Sequence, residues 1–222
     1  MKSLDSQRAL VLLSGGQDSS TCLYWALKKY KEVETLTLDY GQRHRIEIEC
    51  AQKIARQAGV PWRLLKLDLL KDLGGNSLVD ENQTVTSGKG DDDLPLTFVP
   101  GRNLLFINAA AALAYQKNCG TLVTGVCQTD YSGYPDCRQD TITALEKALQ
   151  LGMECNLTIA TPLMNLTKAG SVHLAKDLNA LEALSLSHTC YRGQRPPCSE
   201  CDACQLRAKG FEEAGLKDPL LR

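Results

Sequence analysis

Hydrophobic and polar positions form a repeating pattern along the chain, in which strand-like runs alternate with helix-like runs. The apolar run Ala-Leu-Val-Leu-Leu at 9–13 predicts a buried strand. Within the segment 43–58, Ile46, Cys50 and Ile54 recur every four residues, which is the spacing of one face of a helix. The predicted strands are 9–13, 33–39, 62–67, 121–126 and 157–160, and the predicted helices are 21–30, 43–58, 102–117, 139–151 and 167–178.

This alternation indicates an α/β fold with a doubly wound, parallel, five-stranded sheet, whose ligands bind beyond the carboxyl ends of the strands. Two segments depart from it. Residues 71–100 are rich in Gly, Asp, Asn, Ser and Thr, and we expect an active-site cover or local disorder there. From His188 onward the alternation stops and cysteines gather. We therefore predict an α/β domain at 1–187 and a cysteine-rich C-terminal segment at 188–222 that packs on it.

Composition and charge narrow the class of protein. The 222 residues carry a formal net charge of −1, which gives no overall attraction for nucleic acid, so we expect no stable nucleic-acid partner. The longest apolar runs are far shorter than the roughly 18–20 residues of a membrane span, and residues 1–8 lack the apolar core of a signal peptide. We expect a soluble, cytoplasmic protein without a membrane partner. Six scattered cysteines fit small buried side chains in a reducing compartment.

The segment 13–23, called the phosphate loop below, joins the first strand to the first helix. Its glycines allow the backbone to approach an anion, and the N–H groups of the first helical turn point towards it. The loop lacks the lysine of the Walker pattern. An ordinary glycine-rich turn is the alternative, which the strand–loop–helix context disfavours. The predicted nucleotide-binding residues are Leu13, Ser14, Gly15, Gly16, Gln17, Asp18, Ser19, Ser20, Thr21, Cys22 and Leu23.

Four cysteines near the C-terminus have the spacing of metal ligands. Cys190, Cys198, Cys201 and Cys204 fall within fifteen residues, and each C-x-x-C pair lets two sulfur atoms reach one ion. We predict a zinc ion with a structural role, because four protein ligands leave no position for a substrate. An iron–sulfur cluster is the main alternative, and reduced cysteines without metal are a weaker one.

The motif S-G-G-x-D-S in the phosphate loop resembles that of the PP-loop ATP pyrophosphatases, which cut ATP to AMP and pyrophosphate. With the cysteine segment and four further stretches, the chain resembles the 7-cyano-7-deazaguanine synthase family of queuosine biosynthesis over nearly its whole length. One departure is Ser199, where the family pattern favours glycine. The four stretches are D-Y-G-Q-R-H at 39–44, F-V-P-G-R-N at 98–103, D-Y-S-G-Y-P-D-C-R at 130–138 and P-L-M-N-L-T-K at 162–168.

The resemblance implies a carbon–nitrogen ligase. Such an enzyme converts 7-carboxy-7-deazaguanine and ammonia to the nitrile with two ATP, through an adenylated acid and an adenylated amide. It implies ATP as co-substrate, Mg²⁺, one structural Zn²⁺ per chain and a sheet of the adenine-nucleotide-binding PP-loop type. It leaves open whether ammonia is free or delivered by a partner, and it allows a homodimer that nothing in the sequence itself indicates.

The resemblance also implies roles for single residues. Asp18 orients the loop or places Mg²⁺, Ser19 binds the pyrophosphate, and Arg102 and Lys168 offset phosphate charge; solvated surface cations are the alternative for the last two. Tyr131 or Tyr134 stacks on the base, and Asp130 or Asp136 accepts hydrogen bonds from it. The predicted substrate-binding residues are Asp130, Tyr131, Tyr134, Asp136, Arg138, Arg43 and His44.

Three other functions fit parts of the chain. A PP-loop tRNA thiolase would need a catalytic cysteine pair near the nucleotide and a basic surface. A simple amidoligase would stop at the amide. A zinc-ribbon RNA-binding module would leave the α/β portion unexplained, and its basic support is limited to Arg192, Arg195, Arg207 and Lys209.

Overall fold

The computed structural model of the protein contains the predicted parallel five-stranded sheet, in the order β3-β2-β1-β4-β5. It describes residues 1–42, 45–73, 94, 97–128 and 133–221. The strands are β1 (Asp5–Leu12), β2 (Glu32–Asp39), β3 (Trp62–Lys66), β4 (Cys119–Val123) and β5 (Thr158–Ala160). The helices are α1 (Gln17–Lys29), α2 (Ile46–Gln57), α3 (Leu69–Leu73), α4 (Arg102–Gln116), α5 (Gln139–Gly152), α6 (Lys168–Asp177), α7 (Leu181–Leu186) and α8 (Asp202–Glu213).

Helices cover both faces of the sheet because successive residues of a strand point to opposite sides. On β1, Val11 packs in one cluster with α1 and α2, whereas Leu10 packs in another with α4 and α5. The doubly wound α/β fold is thereby confirmed. The strand order reverses between β1 and β4, and this switch point is where such folds bind ligands beyond the strand ends.

The main difference from the predicted elements lies in the phosphate loop. Helix α1 begins at Gln17, four residues before the predicted start at 21, with Gly16 as its N-cap. The second half of the loop is therefore the first turn of the helix, and the hydroxyl-bearing residues there follow helical geometry. Short helices α3 and α7 were not predicted, because five or six residues carry too little periodicity. Most of the predicted cover at 71–100 lies outside the described residues.

The C-terminal segment packs against the α/β portion mainly through α8. Phe211 of α8 is buried with Val172 of α6 and Leu184 of α7. Arg207, only 3% exposed, forms a bidentate ion pair with Asp218 at 2.6 and 2.8 Å. The guanidinium group of Arg207 also donates to the Leu184 carbonyl in α7 and to two hydroxyls just beyond that helix, Ser187 Oγ and Thr189 Oγ1. The boundary at 187/188 stays a prediction, since one apolar cluster spans it.

Candidate active site and metal centre

The phosphate loop has the backbone of an anion site. Gly15 has φ +88°, and a Cβ there would lie 2.2 Å from the Glu47 carbonyl oxygen, so only glycine fits between the loop and α2. No side chain caps the first turn of α1 at Gly16. The N–H groups at this helix start therefore point outward beyond the end of β1, where they can bind phosphate oxygens.

The serine hydroxyls of the loop do not all face the same way. Ser14 Oγ and Ser19 Oγ lie 3.0 Å apart at the cavity described below. Ser20 is fully buried, and its hydroxyl donates to the Gly16 carbonyl at 2.7 Å because a serine in the first helical turn reaches back to the cap. The structure therefore brings Ser14 and Ser19 to the ligand side and directs Ser20 into the protein.

Two polar side chains at the start of α1 indicate a polar ligand. Gln17 is 3% exposed and lines the cavity, yet neither atom of its amide has a hydrogen-bond partner within the described part of the chain. Asp18 pairs with Lys168 at 2.7 Å, while its buried Oδ1 has no partner there. Buried polar atoms are rarely left unsatisfied, so this arrangement fits a site that a bound molecule completes.

Small residues hold the Asp18–Lys168 pair in place. A Cβ on Gly210 of α8 would lie 2.7 Å from Lys168 Cγ, so glycine leaves room for the lysine stem. A Cβ on Gly125, just after β4, would lie 3.1 Å from the Ser19 nitrogen. Close approach from both sides fixes the positions of the two charges.

A cavity of about 330 Å³ opens beyond the carboxyl ends of β1, β2 and β4. One wall is the phosphate loop with Asp18 and Lys168. A second group of lining residues, called the aromatic wall below, consists of Tyr40, Tyr134, Tyr191, Arg102 and Phe106. A cavity lined by both a phosphate-binding loop and aromatic rings can hold an anion and a planar ring.

Arg102 supplies the positive charge of the aromatic wall. The Arg102 guanidinium lies 5.7 Å from the Tyr134 ring centre, the geometry of a cation–π contact. Burial alone would lower the pKa of Arg102, but the three tyrosines and Asp136 around it raise the pKa above its ordinary value. Arg102 therefore stays charged while facing the cavity, where it can attract a carboxylate or phosphate.

Glu47, in the first turn of α2, is the second carboxylate of the cavity wall. Burial raises the pKa of its carboxyl to about 7, against the lowering effect of the Arg102 charge. Burial also raises the pKa of Tyr40 to about 12, so this hydroxyl stays protonated near neutral pH. The sequence analysis did not predict that Glu47, Tyr40 and Tyr191 line the cavity. For Tyr40, the available signal was its position directly after a strand of the parallel sheet, where such folds bind ligands.

The four C-terminal cysteines form a cluster that fits one tetrahedral ion. Their sulfur atoms all lie within 4.8 Å of one another, and those of Cys198 and Cys204 are 3.9 Å apart. A zinc ion with bonds of about 2.3 Å to four sulfur atoms would place them about 3.8 Å apart. The N–H groups of Glu200 and Cys201 donate to Cys198 Sγ at 3.5 and 3.4 Å, which orients that ligand.

One cysteine of the cluster ionises near neutral pH. Burial would raise the pKa of the Cys198 thiol, but backbone N–H groups and neighbouring thiols lower it to about 6. Burial raises the pKa of Cys204, and the adjacent Cys201 raises it further. Metal binding therefore has to displace protons from the cluster, so metal affinity falls as the pH falls.

Hydrogen bonds connect the segment that carries the four cysteines to the phosphate loop and to α2. The His188 N–H, two residues before the first ligand, donates to the Gly15 carbonyl at 2.9 Å. Arg195 Nη2 donates to the Leu186 and Ser187 carbonyls at 3.0 and 3.1 Å and lies 2.9 Å from Cys50 Sγ of α2. The segment that holds the ligands thus forms part of the cavity wall.

Comparison with known proteins identifies the family. A family model described as queuosine biosynthesis protein QueC matches residues 8–215. The chain belongs to the QueC family. It is 57% identical to the 7-cyano-7-deazaguanine synthase of Chromobacterium violaceum, covering 100% of this chain and 96% of that protein. It is 53% identical to the enzyme of the same name from Laribacter hongkongensis, covering 98% and 95%. The resemblance predicted from the motifs is confirmed.

Solved structures confirm the fold of this QueC-family chain. NMN synthetase from Francisella tularensis superposes with a TM-score of 0.54 at 15% identity, covering 96% of this chain and 79% of that one. The NH3-dependent NAD synthetase of Campylobacter jejuni gives a TM-score of 0.51 at 17% identity, covering 80% and 66%. At such identities the comparison shows the architecture alone.

Among the described residues, no helix is long and apolar enough to cross a membrane.

The structure brings only part of the predicted site residues to the cavity. Among the predicted nucleotide-binding residues, Thr21, Cys22 and Leu23 are fully buried and do not line the cavity, and Thr21 Oγ1 donates to the Gln17 carbonyl at 3.0 Å. Their role is to pack the start of α1 and so support the conformation of the phosphate loop. The residues that line the cavity are Leu13, Ser14, Gly16, Gln17, Asp18, Ser19, Arg102, Tyr134 and Lys168.

Asp136 does not face the cavity, contrary to the predicted contact with the base. It is 5% exposed, and its two oxygens accept from the Asn103 backbone N–H at 3.0 Å and from Asn103 Nδ2 at 3.1 Å. This carboxylate caps the start of α4 and so positions Arg102. Arg138 is exposed at the start of α5, away from the cavity lining. Four predicted residues lie outside the described ones, namely Arg43, His44, Asp130 and Tyr131.

Replacing Ser199 with glycine is expected to stabilise the metal-binding turn. Ser199 has φ +61°, a left-handed conformation that costs a residue with a Cβ about 1 kcal/mol. The greater freedom of a glycine in the unfolded chain offsets part of the gain, so we expect about 0.5 kcal/mol of added stability and tighter metal binding in competition with a chelator. Ser199→Ala keeps the Cβ and is the matched control. Equal behaviour of the two variants would contradict this account of the turn.

Proposed function

We propose that this QueC-family protein is an ATP-dependent ligase that converts 7-carboxy-7-deazaguanine and ammonia to 7-cyano-7-deazaguanine in queuosine biosynthesis. Relatives at 57% and 53% identity carry the name of that enzyme over nearly their whole length. The observation that carries the proposal is the cavity itself, which is lined both by a phosphate loop without a side-chain helix cap and by the aromatic wall with its half-buried cation Arg102.

The chemistry explains why a phosphate loop serves this reaction. A carboxylate oxygen is a poor leaving group until it is bonded to AMP, after which ammonia can displace the AMP and form the amide. The amide oxygen has to leave as well before a nitrile can form. Activation by ATP in the same cavity can therefore operate twice, first on the acid and then on the amide.

The residues of the loop side would act on ATP. The N–H groups at the start of α1, with Ser14 and Ser19, would hold the departing pyrophosphate. Lys168 and Arg102 would offset the negative charge that builds up during adenylation. Asp18 fits Mg²⁺, because its buried Oδ1, which has no hydrogen-bond partner among the described residues, is a ligand that this ion accepts. Bound Mg²⁺ supplies positive charge to the phosphates.

The aromatic wall would hold the deazaguanine ring. Tyr134 is 8% exposed, its hydroxyl bonds Thr97 Oγ1 at 2.6 Å, and its ring stacks on Phe98 with centres 5.9 Å apart. A ring fixed in this way presents a rigid edge or face to a planar ligand. The charged Arg102 beside it would bind the 7-carboxylate of the substrate. Tyr131, Asp130, Arg43 and His44 stay predicted contacts.

The C-terminal cluster would hold one structural zinc ion per chain. Four sulfur atoms at tetrahedral spacing support zinc, and the absence of an open position supports a structural role. An iron–sulfur cluster uses the same ligands and is the alternative. All ten cysteines are free of disulfides, which fits the reducing cytoplasm that we propose as the location. The homodimer and the domain boundary at 187/188 stay predictions.

The alternative functions have less support. Cys127 and Cys137 line the cavity as a thiolase pair would, but Cys127 Sγ bonds the Leu166 carbonyl and Cys137 Sγ accepts from Asn103 Nδ2, both at 3.3 Å. Among the basic residues proposed for RNA binding, Arg207 is buried in its ion pair with Asp218. A simple amidoligase would use the same cavity and differs only in its product.

Incubation with 7-carboxy-7-deazaguanine, ammonium and MgATP tests the proposal, with detection by mass spectrometry. We expect the nitrile, AMP and pyrophosphate. An amide that accumulates without nitrile would favour the amidoligase, and salt-sensitive RNA binding without ATP turnover would favour the RNA-binding module.

A further inference from the structure

Glu47 lies where helix α2 passes the phosphate loop. Its carbonyl oxygen approaches Gly15 so closely that a Cβ there would lie 2.2 Å away. Glu47 lines the cavity that Asp18, Lys168 and Arg102 also line. Its carboxyl group interacts electrostatically with Arg102, Tyr40 and Tyr191, which line the same cavity, and this places the group beside the aromatic wall.

The two carboxylates of the described cavity lining differ in their partners. Asp18 is held by Lys168 at 2.7 Å. Within the described part of the chain, no hydrogen bond or ion pair engages the carboxylate of Glu47. Asp136 accepts hydrogen bonds from Asn103 and from the Cys137 thiol, and it does not line the cavity. Glu47 is thus the carboxylate in the described lining that is positioned to exchange a proton with a bound molecule.

The groups around Glu47 set its protonation. Tyr40 at the end of β2, Arg102 of α4 and Tyr191 of the C-terminal segment interact with it electrostatically, as does Cys50 one turn further along α2. Burial raises the pKa of Glu47 to about 7, and Arg102 keeps it from rising further. A base with such a pKa is present in large part as the carboxylate at neutral pH, and it can also pass its proton on to solvent.

Other groups of the cavity are poorer bases. Burial raises the pKa of Tyr40 and of Tyr191, so both keep their protons at neutral pH. The Lys168 ammonium is paired with Asp18. His188 is fully buried, and its Nε2 lies 2.9 Å from the Cys190 carbonyl, which ties it to the metal-binding segment.

We propose that Glu47 is the general base for both nitrogen steps of the reaction. The inference rests on the proposed function, because it assigns a role within that same cavity. It adds a residue that would act after adenylation, on the nitrogen atom, whereas the phosphate loop acts on ATP.

In the first step, the ammonia nitrogen forms a bond with the carbonyl carbon of the adenylated acid. Glu47 takes one proton from that nitrogen, and the carbon–oxygen bond to AMP breaks, so that AMP leaves with the electron pair. In the second step, the adenylated amide loses its nitrogen protons one after the other, at least one of them to Glu47. The carbon–oxygen bond breaks again, AMP leaves with its electrons, and the carbon–nitrogen triple bond forms. Glu47 returns each proton to solvent between steps.

The Glu47→Gln variant is expected to slow the steps that involve nitrogen and to leave adenylation of the acid intact. The variant keeps the shape of the side chain and removes the base, so exchange of pyrophosphate into ATP with the acid and without ammonia should stay within about threefold of the unchanged protein. Nitrile formation with ammonia should fall by about 10²–10³-fold, the range of general base catalysis. With the concentration of free ammonia held constant across the pH range, nitrile formation by the unchanged protein should decline below about pH 7 as Glu47 becomes protonated, and this decline should vanish in the variant.

Two further variants complete the test. Glu49→Gln alters an exposed carboxylate on the same helix and should leave both activities unchanged. Glu47→Asp keeps a carboxylate and should recover part of the ammonia-dependent rate and the pH dependence. The proposal is overturned if Glu47→Gln forms nitrile at the original rate, keeps the pH profile, or loses pyrophosphate exchange in parallel. If the unchanged protein exchanges no pyrophosphate with the acid, the proposed function itself fails.

Discussion

Replacing Cys201 with serine is expected to abolish metal binding and to unfold the C-terminal segment. Cys201 is 2% exposed and directly precedes α8, so its loss removes a buried metal ligand at the start of that helix. Structural zinc contributes about 10–16 kcal/mol in small zinc-finger domains, which equals or exceeds the about 5–15 kcal/mol by which an ordinary domain is stable. We expect zinc content near zero by elemental analysis, a lower melting temperature and no ligase activity.

Cys155→Ala is the matched control, because Cys155 is equally buried but lies far from the cluster in sequence and packs in the main core. It should keep about one zinc per chain and lose only about 1 kcal/mol of stability. Acidification should release the metal from the unchanged protein as the thiolates are protonated. Iron with a visible absorption band in place of zinc would contradict the zinc assignment.

Replacing Asp18 with alanine is expected to produce the largest loss of adenylation. The change removes the partner of Lys168 and the buried oxygen that fits Mg²⁺, so we expect pyrophosphate exchange into ATP to fall by about 10²–10³-fold or more. Lys168→Met keeps the apolar stem against Gly210 and should cause a loss of similar size. Because the two charges form one unit, the double variant should be little worse than either single one.

Lys176→Met, on the exposed side of the same helix as Lys168, is the control for charge removal and should leave exchange unchanged. Zinc content and melting temperature should also stay normal in the Asp18 and Lys168 variants, since neither residue is a metal ligand. Full pyrophosphate exchange in Asp18→Ala would show that the phosphate loop does not bind ATP as proposed.

The metal-binding segment bears on catalysis through contacts with the loop side of the cavity. Gly210 of α8 leaves the space that the Lys168 stem fills, and the His188 N–H holds the Gly15 carbonyl. Through these contacts, a structural metal ion held by the four cysteines would stabilise this side of the cavity. A change that loosens α8 should raise the barrier of adenylation as well as lowering stability.

Much of the fold could be predicted because its strands and helices carry clear periodicity. The five strands and the helices α1, α2, α4, α5 and α6 lie within a few residues of the predicted ranges, and the loop after β1 was recognised by its context. The start of α1 was misplaced because Gln17, Asp18 and Ser19 look like turn residues in sequence, although they form the first helical turn.

The site was harder to predict, because the aromatic wall is assembled from segments that are distant from one another in sequence. Tyr40, Glu47 and Tyr191 come from three separate elements, and only the packing of those elements brings them to one cavity. Asp136 was predicted as a substrate contact because it lies in a loop with aromatic residues. A buried carboxylate that caps a distant helix looks the same in sequence as one that faces a ligand.

The stoichiometry of AMP formation tests most directly the central claim that one phosphate loop activates both the acid and the amide. The same enzyme preparation is given either 7-carboxy-7-deazaguanine with ammonium or the corresponding amide, and AMP and nitrile are quantified. We predict two AMP per nitrile from the acid, one from the amide, and loss of both reactions in Asp18→Ala. Conversion of the amide without AMP, or a variant that loses only one of the two reactions, would contradict it.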